Sequence, residues 1–344
     1  MSPASKPELI IIGRVDYLEE RLKSLAKQYN VHQVPLDISR ADFYQACKKG
    51  GQLDSLKAIY YASWNSKVLK ANSEFVKALP ESCISISNLG AGYDTVDVQA
   101  ALQKNIQVSH TPGAVSAATA TTAMYLILAA LRRFTLGELH ARRGLWDYQF
   151  ENALDPEEKT LGIIGMGGIG KALARRALGF DMKVIYYNRN PLTEDDLKKS
   201  GLDGKATYCS SIEELVKTSD VVSINVPLNE STKGFYTQKH FDMMKKDSVL
   251  VNTARGAVIH QPAMIKALAE GKIYSVGLDV FADEPNIPPE LVSNENITIL
   301  PHLGTSTRET LVKMENQVMD NCVQALEKGK VIDLVKEQKG HDFQ

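Results

Sequence analysis

Gly165-Met-Gly167-Gly168-Ile169-Gly170 stands between an apolar run, Leu161 to Ile164, and an amphipathic stretch, Lys171 to Phe180. A G-x-G-x-x-G run that leaves a strand and opens a helix constrains the fold more than any other feature of this chain, because each glycine has a mechanical task. The first allows a tight turn, the second lets backbone approach a pyrophosphate, and the third lets the helix pack closely on the strand. The phosphates then meet free N–H groups and the positive end of the helix dipole. Glycine turns also serve plain helix–strand packing, but the strand–loop–helix context points to a dinucleotide.

The loop sits in a longer α/β rhythm. Apolar, β-prone runs at 7–13, 58–63 and 84–90 alternate with helix-like segments such as 16–29 and 40–49. The rhythm restarts at 160–167 and continues through 183–189, 221–227, 248–254, 275–281 and 297–302. Six strands separated by helices predict a parallel, doubly wound sheet. Punctuation by His110-Thr-Pro-Gly113 marks one boundary. A helical pattern from about Thr307 to Lys328 leaves a tail too short for a domain of its own. The expected fold is α/β with two doubly wound domains: a Rossmann cofactor domain, 114–305, inserted in a flavodoxin-like substrate domain, 1–113 plus 306–344.

Charge narrows the partners. Forty basic residues nearly cancel 41 acidic ones, for a net charge of −1, so no global field recruits nucleic acid or an anionic membrane surface. A small molecule is the expected partner. Thr111 to Leu131 carries no charge, yet its first half is Ala, Ser and Thr with little Leu, Ile or Phe, which reads as a packed helix within the fold rather than a membrane span. Cys47, Cys83, Cys209 and Cys322 are far apart and form no metal-ligand spacing, so no metal is expected. With no recognisable address signal, the expected location is cytoplasmic.

The strand after the glycine helix ends Tyr186-Tyr-Asn188-Arg189. In the usual arrangement an acid about 20 residues beyond the loop accepts hydrogen bonds from the adenosine ribose and repels a 2′-phosphate. Asn188 removes that charge, and Arg189 offers a planar donor fork suited to phosphate. The pair predicts NADP(H), although an asparagine in a turn and a solvated arginine have plain structural uses.

Three further stretches, 249–268 (VLVNTARGAVIHQPAMIKAL), 277–285 (GLDVFADEP) and 300–310 (LPHLGTSTRET), together with 89–98 (LGAGYDTVDV), 111–115 (TPGAV) and the glycine loop, resemble the D-isomer-specific 2-hydroxyacid dehydrogenase family in order and spacing. Within it the chain is most similar to NADP-dependent glyoxylate/hydroxypyruvate reductases and related fungal-type 2-keto acid reductases. The resemblance implies that Arg255 holds the substrate carboxylate and carbonyl, and that Glu284 and His302 form the acid–base pair. Reducing a ketone by hydride develops an alkoxide, which needs a proton donor; a carboxylate beside a histidine favours imidazolium and orients the ring. Taken singly, each residue also suits a salt bridge, a turn or a cap. The resemblance further implies backbone contacts from Ala91 and Gly92 to the substrate carboxylate, and cofactor contacts from Thr119, Val226, Pro227, Thr253 and Asp279, the last near the nicotinamide amide.

There are departures: Ala117 stands where the interdomain helix often carries an acid, and Asn225 where the strand often reads His-x-Pro. Trp64 follows a strand of the first domain and is a candidate substrate contact. Trp146 lies in a segment that resembles the family's dimerisation arm, implying a homodimer through the cofactor domain. The expected activity is hydride transfer from NADPH to a 2-keto acid, glyoxylate, hydroxypyruvate or a bulkier one, giving the D-2-hydroxy acid. The alternative is a dinucleotide-sensing, corepressor-like binding protein on the same scaffold.

Overall fold

A computed structural model describes residues 6–62, 69–146 and 153–343. The chain divides into two compact units, Met1–Val115 with Thr307–Gln344, and Ser116–Ser306.

The first unit is built on a five-stranded parallel sheet of β1 (Glu8–Ile12), β2 (Asn30–Gln33), β3 (Leu56–Tyr61), β4 (Ser85–Asn88) and β5 (Gln107–Ser109), in the order β2-β1-β3-β4-β5. That is the flavodoxin-like order. Strands β1 and β3 are buried on both faces, which is why they read as continuous apolar runs. Helices α1 (Glu19–Leu25), α2 (Arg40–Cys47), α3 (Ser73–Ala78) and α4 (Val98–Gln103) connect the strands. The C-terminal helix (Arg308–Lys328) is capped by the Thr307 side chain and packs on β3 and β4. Beyond it, Val335 N–H donates to Val108 O at 3.0 Å.

The second unit carries seven parallel strands: β6 (Thr160–Ile164), β7 (Lys183–Tyr187), β8 (Ala206–Tyr208), β9 (Val221–Ile224), β10 (Val249–Asn252), β11 (Ser275–Leu278) and β12 (Ile297–Ile299). Their order is β12-β11-β10-β9-β6-β7-β8, the Rossmann arrangement with one added strand, and the order reverses between β6 and β9. The sequence reading of six strands lacked β8, whose three residues lie at a sheet edge and are only partly buried or exposed, so no apolar run announces it. The charge-free segment forms helix α5 (Ser116–Arg132), not from Thr111, because Pro112 and the positive φ of Gly113 precede it. Its small side chains allow close packing on α7 (Gly168–Leu178), β10 and β11, where a Cβ at Gly277 would lie 2.8 Å from that of Leu126. No helix among the described residues is long and apolar enough to cross a membrane.

Candidate active site

Every sequence-identified catalytic or cofactor-binding residue of the second unit except Thr119 lies in the helix-entry turn or loops beyond the carboxyl ends of its strands, where open α/β sheets hold ligands. Gly165, leaving β6, has φ of +99°, and a Cβ there would lie 2.7 Å from the Asn225 carbonyl oxygen. A Cβ on Gly170 would meet the Gly165 carbonyl, whereas around Gly167 there is nothing within 4 Å. The loop is thus closed by backbone at Gly165 and Gly170 and open at Gly167, at the start of α7 where a helix N-terminus favours an anion. Gly168 and Ile169 complete the turn.

Asn188, just past β7, turns its side-chain oxygen inward to accept the Met166 N–H of the glycine loop at 2.7 Å. With its oxygen turned inward in this way, the amide presents its NH₂ donors outward. Arg189 beside it is exposed and makes no ion pair among the described residues. An uncharged donor and an adjoining guanidinium suit a phosphate at the ribose 2′ position.

Arg255 follows β10. Asn252 organises that turn: its Oδ1 accepts the Ala254 N–H at 3.0 Å and its Nδ2 donates to Arg255 O at 2.8 Å. The guanidinium Nη1 donates to Ala254 O at 2.9 Å. Gly256 touches the backbone of Phe281 and Ala282, leaving no room for a Cβ. This contact ties the Arg255 loop to the segment that carries Glu284. Asn252 and Gly256 escaped the sequence reading, though both lie inside the stretch that supplied Arg255.

His302 Nδ1 lies 2.7 Å from Glu284 Oε2, and Glu284 Oε1 accepts the Phe281 N–H at 2.9 Å. Burial by itself would raise the Glu284 carboxyl. The His302 hydrogen bond, the Phe281 N–H and the charges of His302 and Arg255 outweigh it and hold the group below its ordinary value. His302 has φ of +55°, a left-handed conformation that a histidine adopts at a cost. Asp279 offsets that cost. Its carbonyl accepts the His302 N–H at 2.9 Å, and its two carboxylate oxygens accept the N–H groups of Leu303 at 2.6 Å and Gly304 at 2.8 Å. Asp279 was expected near the nicotinamide amide; here its carboxylate is engaged first with the loop that carries His302. Its burial raises the carboxyl in spite of those amides.

Thr119, in the first turn of α5, is close enough to Gly304 that a Cβ there would lie 3.4 Å from its hydroxyl. Thr253 is buried with its hydroxyl unpartnered among the described residues, and Val226 and Pro227 follow β9 with partial or full exposure. In the first unit, Ala91 and Gly92 lie in the turn after β4 and are half-buried. Trp64 falls outside the described residues. Trp146 is 76% exposed. No cluster of His, Cys, Asp and Glu suited to a metal occurs among the described residues.

Residues 124–304 match the family profile described as D-isomer specific 2-hydroxyacid dehydrogenase, NAD binding domain. The chain is 41% identical to 4-methyl-2-oxopentanoate reductase A of Aspergillus oryzae, over 97% of this chain and 99% of that one. It is also similar to a crystal structure of a glyoxylate reductase from Paecilomyes thermophila, with 40% identity, a TM-score of 0.91, and coverage of 98% and 100%. A third relative is an NADPH-dependent glyoxylate/hydroxypyruvate reductase from Sinorhizobium meliloti, solved with NADP and malonate, at 28% identity, a TM-score of 0.82, and coverage of 97% and 98%.

Proposed function

This chain belongs to the D-isomer-specific 2-hydroxyacid dehydrogenase family, and from that footing we propose that it is an NADPH-dependent reductase converting a 2-keto acid to the D-2-hydroxy acid. The observation that carries the reading is the 2.7 Å bond between His302 Nδ1 and Glu284 Oε2, within reach of the Arg255 charge. Because Nδ1 faces the carboxylate, Nε2 is the nitrogen that serves the substrate.

The nicotinamide supplies hydride to the keto carbon when bound; the rest of the reaction falls to this chain. Arg255 binds the carboxylate and polarises the keto oxygen from one planar group. His302 Nε2 gives its proton to that oxygen as charge develops, and Glu284 stabilises the imidazolium before transfer and orients the ring. The turn at Ala91 and Gly92 holds the substrate carboxylate through backbone N–H groups. Gly165, Gly167, Gly168, Ile169 and Gly170 hold the pyrophosphate, with Thr119, Val226, Pro227, Thr253 and Asp279 along the rest of the cofactor. Asn188 and Arg189 select the 2′-phosphate, as their chemistry and the NADP-bound relative support. The relatives act on glyoxylate, hydroxypyruvate and 4-methyl-2-oxopentanoate by name, and we assign this chain the same class of short-chain 2-keto acid.

The protein works as a homodimer through its cofactor domain. Helix α6 (Phe134–Arg142) has no buried residue, and Phe134, Leu139, Leu145 and Trp146 stand exposed along it and just past it, an apolar surface that a second copy would cover. Four free, buried thiols suit a reducing compartment, and we place the enzyme in the cytoplasm.

Initial rates of NADPH and NADH oxidation with glyoxylate, hydroxypyruvate, pyruvate, 4-methyl-2-oxopentanoate and phenylglyoxylate test the reading. Fast turnover with NADPH alone is expected. Equal rates with NADH overturn the cofactor assignment, and tight dinucleotide binding without turnover of any keto acid favours a binding protein on this scaffold.

A further inference from the structure

The turn after β4 has a polarity that its sequence does not advertise. Gly90 O accepts the Thr111 N–H at 2.9 Å, Ala91 O faces His110 Nδ1 at 2.8 Å, and Gly92 O accepts from Asn88 Nδ2 at 3.0 Å. All three carbonyls are therefore occupied, while the N–H groups of Ala91 and Gly92 meet no acceptor among the described residues. A peptide unit is planar and trans, so fixing its carbonyl oxygen also fixes the direction of the N–H on its far side. Thr111 thus orients the N–H of Ala91, and His110 that of Gly92. Two adjacent N–H groups held outward in this way form a small anion-binding concavity.

We propose that His110 is a positioning residue for the substrate carboxylate: by holding Ala91 O it aims the Gly92 N–H at the anion. The inference rests on the reading above that this turn receives the carboxylate. His110 faces a carbonyl oxygen, which cannot donate, so Nδ1 carries the proton. The ring is itself held by an edge-on contact with Tyr93, centroids 5.0 Å apart, and the Tyr93 hydroxyl donates to Glu337 Oε2 at 2.8 Å. His110 N–H donates to Asp333 O at 3.3 Å, which seats its backbone against the C-terminal tail. The result is a chain of contacts running from the tail through two rings to one peptide plane.

Two substitutions separate the ring from the donor. Asparagine carries its amide nitrogen at the same distance along the side chain as histidine carries Nδ1, so His110→Asn keeps the donor and loses the ring. His110→Phe keeps the ring against Tyr93 and loses the donor. With glyoxylate and 4-methyl-2-oxopentanoate as probes, His110→Phe should raise KM about tenfold, the scale of one lost hydrogen bond at a bound anion, with kcat and NADPH affinity within about twofold. His110→Asn should restore KM to within about twofold of wild type. An unchanged KM in His110→Phe, or equal damage in both variants, overturns the proposal. Gly92→Pro removes the N–H itself while His110 remains. If Gly92→Pro retains NADPH binding and leaves KM unchanged, the turn is not the carboxylate site and both readings fall; if it raises KM while His110→Phe does not, only the role of His110 falls.

Discussion

Glu284 holds His302 from one oxygen and is itself held at the other. Oε2 lies 2.7 Å from His302 Nδ1, and Oε1 accepts the Phe281 N–H at 2.9 Å. Neither oxygen is free to rotate away without losing a bond, so the imidazole has one preferred orientation, with Nε2 outward. Glu284→Gln keeps the size but removes the charge. The kcat for keto-acid reduction should fall by about 10²-fold or more, the scale at which general acid–base catalysis contributes, with NADPH affinity nearly unchanged. Steady-state rates beside a fluorescence titration of NADPH check this, and a kcat within twofold of wild type would remove Glu284 from the acid–base pair.

The same carboxylate predicts how stability varies with pH. Glu284 is held below its ordinary value of 4.5 in the folded chain, by bonds that outweigh its burial. A lowered folded value means that the unfolded chain takes up the proton first as the solution is acidified. The stabilisation is therefore fully present above about pH 4.5 and is lost as pH falls through the lower folded value. Glu284→Gln lacks this dependence. From about pH 5 downward the difference in Tm between wild type and Glu284→Gln should shrink as the carboxylate is protonated; a difference that grew over that acid range would contradict the assignment.

Gly256 touches the backbone of Phe281 and Ala282 where any Cβ would overlap. Backbone cannot swing aside like the end of a side chain, so Gly256→Ala must push the Arg255 loop away from the segment carrying Glu284. Overpacking of this kind costs about 1–3 kcal/mol. A lower Tm should accompany a KM for keto acid raised by about tenfold or more if Arg255 binds the substrate carboxylate as proposed, because a misplacement of about 1 Å is costly. Thermal melts and steady-state kinetics together test the point: a lower Tm with unchanged KM would make the contact structural alone.

What the sequence made legible follows from where each signal is written. Strands β1, β3, β6 and β10 are buried on both faces and read as apolar runs. By contrast β2, with residues Asn-Val-His-Gln, and β8 are edge strands with one neighbour each, and neither has a buried residue. The three residues of β5 are buried, but polar Gln107 and Ser109 flank Val108, and the Gln107 side chain is spent on Gly329 O and the Val331 N–H of the tail. Arg255, Glu284 and His302 could be named because they stand in local motifs at strand ends. Asp279 as the anchor of His302 could not, since its partners are amides more than twenty residues away that carry no side-chain signature. Asn88 and His110 are hidden for the same reason: their partners are carbonyl oxygens, which every residue has.

Asp279 engages three successive amides, and the histidine among them sits at φ +55°. Asp279→Asn retains one acceptor but turns an NH₂ toward an N–H, which leaves one buried donor unsatisfied. A loss of about 1.5–3 kcal/mol is expected for a bond to a charged acceptor, with the His302 loop freed to relax from its left-handed conformation. Faster amide exchange at Leu303 and Gly304 should appear together with a lower kcat. Wild-type protection at those two amides would mean that another contact fixes the loop.

Asn188 accepts the Met166 N–H through Oδ1 at 2.7 Å, and this fixes which end of its amide faces outward. Asn188→Asp keeps that bond, because a carboxylate oxygen also accepts, and exchanges only the outward donor for a negative charge. The glycine loop should therefore stay intact while the 2′-phosphate meets an anion in place of an amide. A charge-assisted bond is worth about 1.5–3 kcal/mol, so Kd for NADPH should rise about 10- to 100-fold, and that for NADH should stay equal or tighten as the new carboxylate accepts from the ribose hydroxyls. Arg189→Ala should weaken NADPH about tenfold with little change for NADH if its guanidinium pairs with the 2′-phosphate as proposed. Fluorescence titration of both variants with both cofactors separates the two effects. If each variant weakened NADPH and NADH alike, the pair would be supporting the loop rather than reading the phosphate, and it would give no ground for a preference for NADPH.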